Sequence, residues 1–166
     1  MIRLDEFSEA LSINGSSQHH NYLIFLKALR DAQIVDKNEA AMFLAVVLHE
    51  SNGLTCTRTT DLAKEKVMTE YFGVYVERGF LKIFGIENYI AASQALKEDY
   101  VNFPRLIEKE KHAWKTSSWY WKTECQGYAP LGFGHLVRYG LRALNDSERD
   151  KVFENVCTAF KLTPKF

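Results

Sequence analysis

The chain has 166 residues, with 21 Lys+Arg against 21 Asp+Glu, a formal net charge of zero, 46% hydrophobic and 25% charged residues. That balance excludes disordered, collagen-like and coiled-coil classes, and it offers no basic field for a dedicated nucleic-acid binder. The length fits one domain over residues 1–166, able to bury roughly two thirds of its unfolded surface. With 8 Tyr, 11 Phe and 3 Trp, either a bulky core or a stacking surface is expected.

The opening M-I-R-L-D-E-F-S-E-A-L is charged and lacks the apolar run of about 7–15 residues that a signal peptide needs. No stretch approaches ~18 consecutive apolar residues, so no membrane span is expected. The expectation is a cytoplasmic protein as written, or one exported by another route or after removal of a leader. Residues 12–18, rich in Asn, Ser and Gly, read as a loop. Residues 21–33 predict a helix with Leu23, Leu26, Ala28 and Leu29 apolar. The clearest helix starts at Asp36, with Glu39 three residues on as in a capping box. It carries Ala40, Phe43, Leu44, Val47 and Leu48 at helical spacing and stops at Gly53. Residues 54–70 give only weak signals. Residues 74–84 alternate in part around Arg78 and Gly79, which predicts a short hairpin or an extended loop. Residues 87–97 predict a helix, and Pro104 opens another that breaks once before Trp121. Residues 127–134 predict a loop and residues 136–144 a short helix. Asp146 or Ser147 then caps a last helix with Val152, Phe153, Val156 and Phe160 inward. The expected fold class is mainly α, with at most a small β-hairpin.

His49 and Glu50 close the most apolar helix. Glu50 follows Val47 by three residues and Phe43 by seven, which puts it beside the buried face. Burial and the negative end of the helix dipole both favour a protonated carboxyl, the state a general acid requires. The alternative is an exposed glutamate in a fraying last turn. No metal site is expected: H-E-S-N-G lacks the second His of H-E-x-x-H, and the adjacent His19 and His20 cannot face one ion. Cys56, Cys125 and Cys157 form no C-x-x-C pair and are expected as reduced buried thiols, with one disulfide as the alternative. No G-x-S-x-G, P-loop or G-x-G-x-x-G occurs, which removes the usual serine-hydrolase and nucleotide readings. Trp114, Trp119, Tyr120 and Trp121 crowd one stretch, and Trp119 and Trp121 cannot share a helical face. One can line a groove suited to the apolar face of a sugar while another fills the core. Lys109, Lys111, Lys115 and Lys122 lie nearby, but Glu108, Glu110 and Glu124 interleave with them and dilute any nucleic-acid surface.

Taken in order, H-E-S-N-G-L (49–54), Y-V-E-R-G-F-L-K-I (75–83), E-N-Y (87–89), S-S-W-Y-W (117–121) and G-F-G (132–134) resemble glycoside hydrolase family 19. That family comprises chitinases of plants and bacteria and related endolysins, and the resemblance spans roughly residues 40–140. It implies a lysozyme-like helical domain that cleaves β-1,4 bonds in an N-acetylglucosamine polymer, chitin or peptidoglycan, with inversion and without a cofactor. Inverting enzymes of this kind hold an acid and a base about 6.5–9.5 Å apart, with the attacking water between. By resemblance Glu50 is the acid, Asn88 helps hold water and sugar, and Arg78 with Gly79 shapes the cleft floor. His49, Tyr75, Lys82, Tyr89, Trp119 and Trp121 are expected as further substrate-binding residues. The implied partner is a polysaccharide, not nucleic acid or membrane, and a monomer is expected.

The chain departs from the family pattern on the side of the base. Thr59 stands where the family's Glu is expected, Lys82 replaces a sugar-binding Gln, Phe84 replaces a Ser or Thr, and Glu77 replaces the first Gly of G-R-G. Leu141 falls where an Asn of I-N-G is usual. Glu65, Glu70 or Glu77 could take over as base, or the acid alone could suffice, with water placed without a strong base. The alternative to hydrolysis is a catalytically lost relative that serves as a glycan-binding or protein-interaction module.

Overall fold

The computed structural model describes residues 1–166. It is mainly α, as expected, with helices α1 (Leu4–Ile13), α2 (Tyr22–Asp31), α3 (Lys37–Glu50), α4 (Leu62–Phe72), α5 (Ile86–Leu96), α6 (Glu110–Tyr120), α7 (Phe133–His135) and α8 (Ser147–Ala159). There is no sheet. Of the short hairpin or extended loop expected at residues 74–84, the loop forms, with two isolated bridges, Arg58 with Arg78 and Arg78 with Ile83. No helix is long and apolar enough to cross a membrane.

α3 is the central post. The Asp36 carboxylate accepts the Glu39 backbone N–H at 2.9 Å, satisfying one of the first-turn donors that a helix leaves unpaired. Residues 40–48 are all buried, so the helix is enclosed on every side. α8 packs along it, α1 along α8, and α2 against α6. Aromatic rings tie these layers together: Phe43 meets Trp121 edge-on at 5.1 Å, and Phe133 stacks on Phe153 at 4.1 Å. A second, smaller cluster of Ile83, Tyr89, Ala92, Tyr100 and Ile107 lies outside this main core.

Several local readings change. α1 forms in the charged opening stretch, with Phe7, Ala10 and Leu11 buried. α4 forms in the weak region and buries no residue. The helix expected from Pro104 with one break before Trp121 does form, as a 3-10 turn, Pro104–Glu108, and then α6 from Glu110. The loop expected at residues 127–134 is largely a 3-10 helix, Gln126–Leu131, and the short helix expected over 136–144 starts earlier, as α7, and ends as a π-helical turn, Leu136–Gly140. Gly132, just before α7, has φ +105; a Cβ there would stand 2.5 Å from the Phe166 carbonyl oxygen. Only glycine lets the C-terminal residues close onto α7, where the Phe133 N–H donates to the Lys165 carbonyl at 2.8 Å. Cys56, Cys125 and Cys157 are free thiols, and Cys56 is only half-buried, unlike the other two. Burial pushes Cys125 up to about 12 and Cys157 up to about 11, which makes both inert.

Candidate functional site

The C-terminus of α3 is pinned before it releases the chain. Ser51 is buried, and its hydroxyl donates to the Val47 carbonyl at 2.6 Å and accepts the Leu54 N–H at 2.8 Å. Ser16 donates to the Gly53 carbonyl at 2.7 Å, from the turn after α1. Asn52, Gly53 and Leu54 all hold positive φ, so the chain reverses at once. Glu50 therefore sits on a rigid end, with its side chain 29% exposed.

That side chain opens onto a cavity of about 500 Å³. The main core supplies one wall: Glu50 from α3, Tyr120 from α6, residues 141–143 and Arg149 from α8. The other lining residues are Lys64 and Phe72 from α4, Glu77 and residues 81–85 from the stretch before α5, and Glu87 and Asn88 from α5. The second wall is built from behind by Arg78, which is nearly fully buried. Its guanidinium donates to the Val74 carbonyl at 2.6 Å, to the Tyr89 hydroxyl at 2.9 Å and to Glu108 at 3.0 Å. The Gly85 N–H donates to the Tyr75 carbonyl at 2.8 Å and closes the turn that presents residues 82–84.

Six of the residues singled out in the sequence as candidates or as departures meet here: Glu50, Asn88, Lys82, Glu77, Phe84 and Leu141. Asn88 donates its side-chain N–H to the Phe84 carbonyl at 2.8 Å, which fixes its amide on the cavity wall. Lys82 donates to the Cys56 carbonyl at 2.9 Å. Burial pushes its ammonium below the ordinary lysine value, while the nearby Cys56, Glu77 and Glu50 charges pull the other way. Glu77 is paired with Lys64 at 2.9 Å. Phe84 also lines the cavity; it is 41% exposed and lies edge-on to Phe72 at 5.0 Å.

The others lie elsewhere. Trp121 is fully buried with its indole N–H donated to Glu39 at 3.0 Å, so it is a core residue rather than a cleft residue. Tyr89 is fully buried, its hydroxyl donating to the Val76 carbonyl at 2.7 Å, and it belongs with Arg78 to the support of the wall. Tyr75 lies edge-on to Tyr89 at 5.1 Å and donates to the Val101 carbonyl at 3.1 Å. Trp119 is half-buried against the smaller cluster, outside the cavity. Glu65 pairs with Arg58, Glu70 is exposed, and neither lines the cavity; nor does Thr59. His49 meets Asp146 at 3.0 Å behind the wall.

Two wall residues escaped the sequence reading. Tyr120 is the member of the W-Y-W stretch that lines the cavity. Trp114 and Trp121 are two helical turns apart and share the core face, which turns Tyr120 away from that face. Arg149 is the second. Its side chain is 8% exposed and reaches Glu50 at 3.3 Å. It is placed by Asp146, which caps α8 by accepting the Glu148 and Arg149 N–H groups at 2.9 and 3.4 Å. The same carboxylate pairs with His49, so one side chain ties the end of α3 to the start of α8. The cap was legible; the long-range pairing with Glu50 was not. It sets a positive charge against the Glu50 carboxyl.

No family model and no curated protein sequence matches the chain. Solved structures do. Chitinase C from Streptomyces griseus superposes with a TM-score of 0.80 at 23% identity, covering 99% of this chain and 78% of that one. A bacterial family 19 chitinase gives a TM-score of 0.73 at 24% identity, over 87% and 88% of the two chains. A family 19, class IV chitinase from Zea mays gives 0.69 at 21%, over 86% and 82%. The chain therefore has the helical, lysozyme-like fold of the family 19 chitinases, the fold that the ordered motifs implied.

Proposed function

We propose that the protein is a chitinolytic glycoside hydrolase acting on β-1,4 bonds of an N-acetylglucosamine polymer. One observation carries the reading: Glu50, on the rigid end of a buried helix, opens onto the same cavity as a second carboxylate, Glu77, and a fixed amide, Asn88. Of the three replacement bases considered, only Glu77 lines that cavity. The shared fold with chitinases supports the same reading.

In this mechanism Glu50 gives its proton to the glycosidic oxygen as the bond to the anomeric carbon breaks. A water held by Asn88 attacks that carbon from the far side, and Glu77 takes the water's proton. Solvent exchange then returns the proton balance between the two carboxyls. Arg149 steadies Glu50 when it is charged, after the transfer.

Reducing-end release from chitin oligomers and from purified peptidoglycan tests this. Glu50→Gln is expected to lower release by about 10²–10⁴, the usual worth of an acid–base group, and Glu77→Gln by a similar order. Glu70→Gln, exposed and off the cavity, should leave it unchanged. No release from either polymer by the folded wild-type chain would overturn the hydrolase reading and favour a glycan-binding module.

A further inference from the structure

Four basic side chains line the cavity, and three of them have an acid partner. Lys64 pairs with Glu77 at 2.9 Å, Arg149 with Glu50 at 3.3 Å and Arg142 with Glu124 at 3.4 Å. Lys82 makes no ion pair, and its one hydrogen bond goes to the Cys56 carbonyl at 2.9 Å. An ammonium carries three donors, so two remain for whatever enters. It is half-buried, and burial already works against its charge. A desolvated cation without a counter-ion gains most from an incoming anion, because attraction strengthens as water leaves. Glu50 and Glu77 lie near it, but each is already bonded to another cation. Glu87, the remaining carboxylate of the cavity, is exposed on the first turn of α5, where solvent and salt screen it.

Resting on the glycan-hydrolase reading, we propose that Lys82 is a subsite for a carboxylate carried by the sugar chain. The preferred glycan is then an acidic one, such as a chain in which muramic acid units bear a lactyl carboxylate, rather than neutral chitin with the same linkage. The lysine discriminates by charge: it can bond a neutral sugar oxygen, but only a carboxylate also neutralises it.

Calorimetric titration of the Glu50→Gln protein separates binding from catalysis. The probes are chitotetraose and the tetrasaccharide of alternating N-acetylglucosamine and N-acetylmuramic acid with free lactyl carboxyls. The acidic probe should bind about tenfold more tightly, the order that one hydrogen bond to a charged group contributes. Lys82→Gln in that background should erase the difference, Lys82→Met should do the same, and Lys82→Arg should keep it. Circular dichroism establishes that each variant is folded. Equal affinity for the two probes, an equal loss for both in Lys82→Gln, or no binding of either would overturn the proposal. A charge preference in a protein whose wild type releases no reducing ends would leave the subsite standing and remove the hydrolase reading. Reducing-end release with no charge preference would do the reverse.

Discussion

Arg78 shows how much of a cleft depends on residues that never touch its contents. It spans the Val74 carbonyl, the Tyr89 hydroxyl and the Glu108 carboxylate, and so holds the turn that carries Lys82 and Phe84. Glu108 is its charged partner. Burial acts to raise the Glu108 pKa, but the Arg78 hydrogen bond and charge prevail and hold it below 4.5. Glu6 is in the same position: burial acts to raise it, and its bond to Lys37 at 2.7 Å prevails. A carboxyl whose folded pKa is depressed stabilises the fold above its unfolded value and loses that contribution as pH falls through the folded value. Thermal stability is therefore expected to hold above pH 4.5 and to fall below it. Glu108→Gln should cost about 1–3 kcal/mol at neutral pH, by weakening a partly buried charged bond, and should flatten the acid limb. A melt series in which Glu108→Gln keeps the full acid limb would contradict this assignment.

At the scale of elements, the cavity is asymmetric. One wall stands on α3, buried over residues 40–48; the other includes α4, which buries nothing. α4 is held by its Asp61 cap, by the Lys64 pair with Glu77 and by Phe72 against Phe84. Local opening is easiest where buried contacts are few, so α4 amides should exchange at least about a hundredfold faster than those of α3. A glycan bound in the cavity should slow them, because Lys64 and Phe72 face it. Equal protection of the two helices would contradict this division. The same contrast explains which helices were legible. α3 announces itself through a cap, an apolar repeat and a glycine stop. α4 has no buried face, so it has no periodic pattern to find. α1 carries a short pattern of Phe7, Ala10 and Leu11 masked by Arg3, Asp5, Glu6 and Glu9. Residues 74–84 take the loop rather than the hairpin alternative because side-chain bonds from Arg78, not a ladder of backbone bonds, hold that turn.

At the scale of the whole molecule, the site is a gap lined from α3, α4, the 77–88 stretch, α6 and α8, and no single segment encodes it. Local sequence could place Glu50 at a helix end and Asn88 within E-N-Y. It could not place Glu77 and Lys82 on the same cavity as Glu50, or bring Arg149 to it across 99 residues of chain, because those placements depend on tertiary packing. The aromatic stretch was misjudged for a related reason: which of Trp119, Tyr120 and Trp121 faces the gap depends on where α6 meets α2 and α5. The central claim is that this gap breaks a β-1,4 bond by direct attack of water, with Glu50 and Glu77 on opposite sides. Proton NMR of the products of a chitin hexamer, recorded in the first minutes of reaction, reads that chemistry directly. The account requires new reducing ends that appear as the α-anomer and only later equilibrate. New ends that appear as the β-anomer, or this oligomer and purified peptidoglycan both left whole by the folded protein, would contradict it.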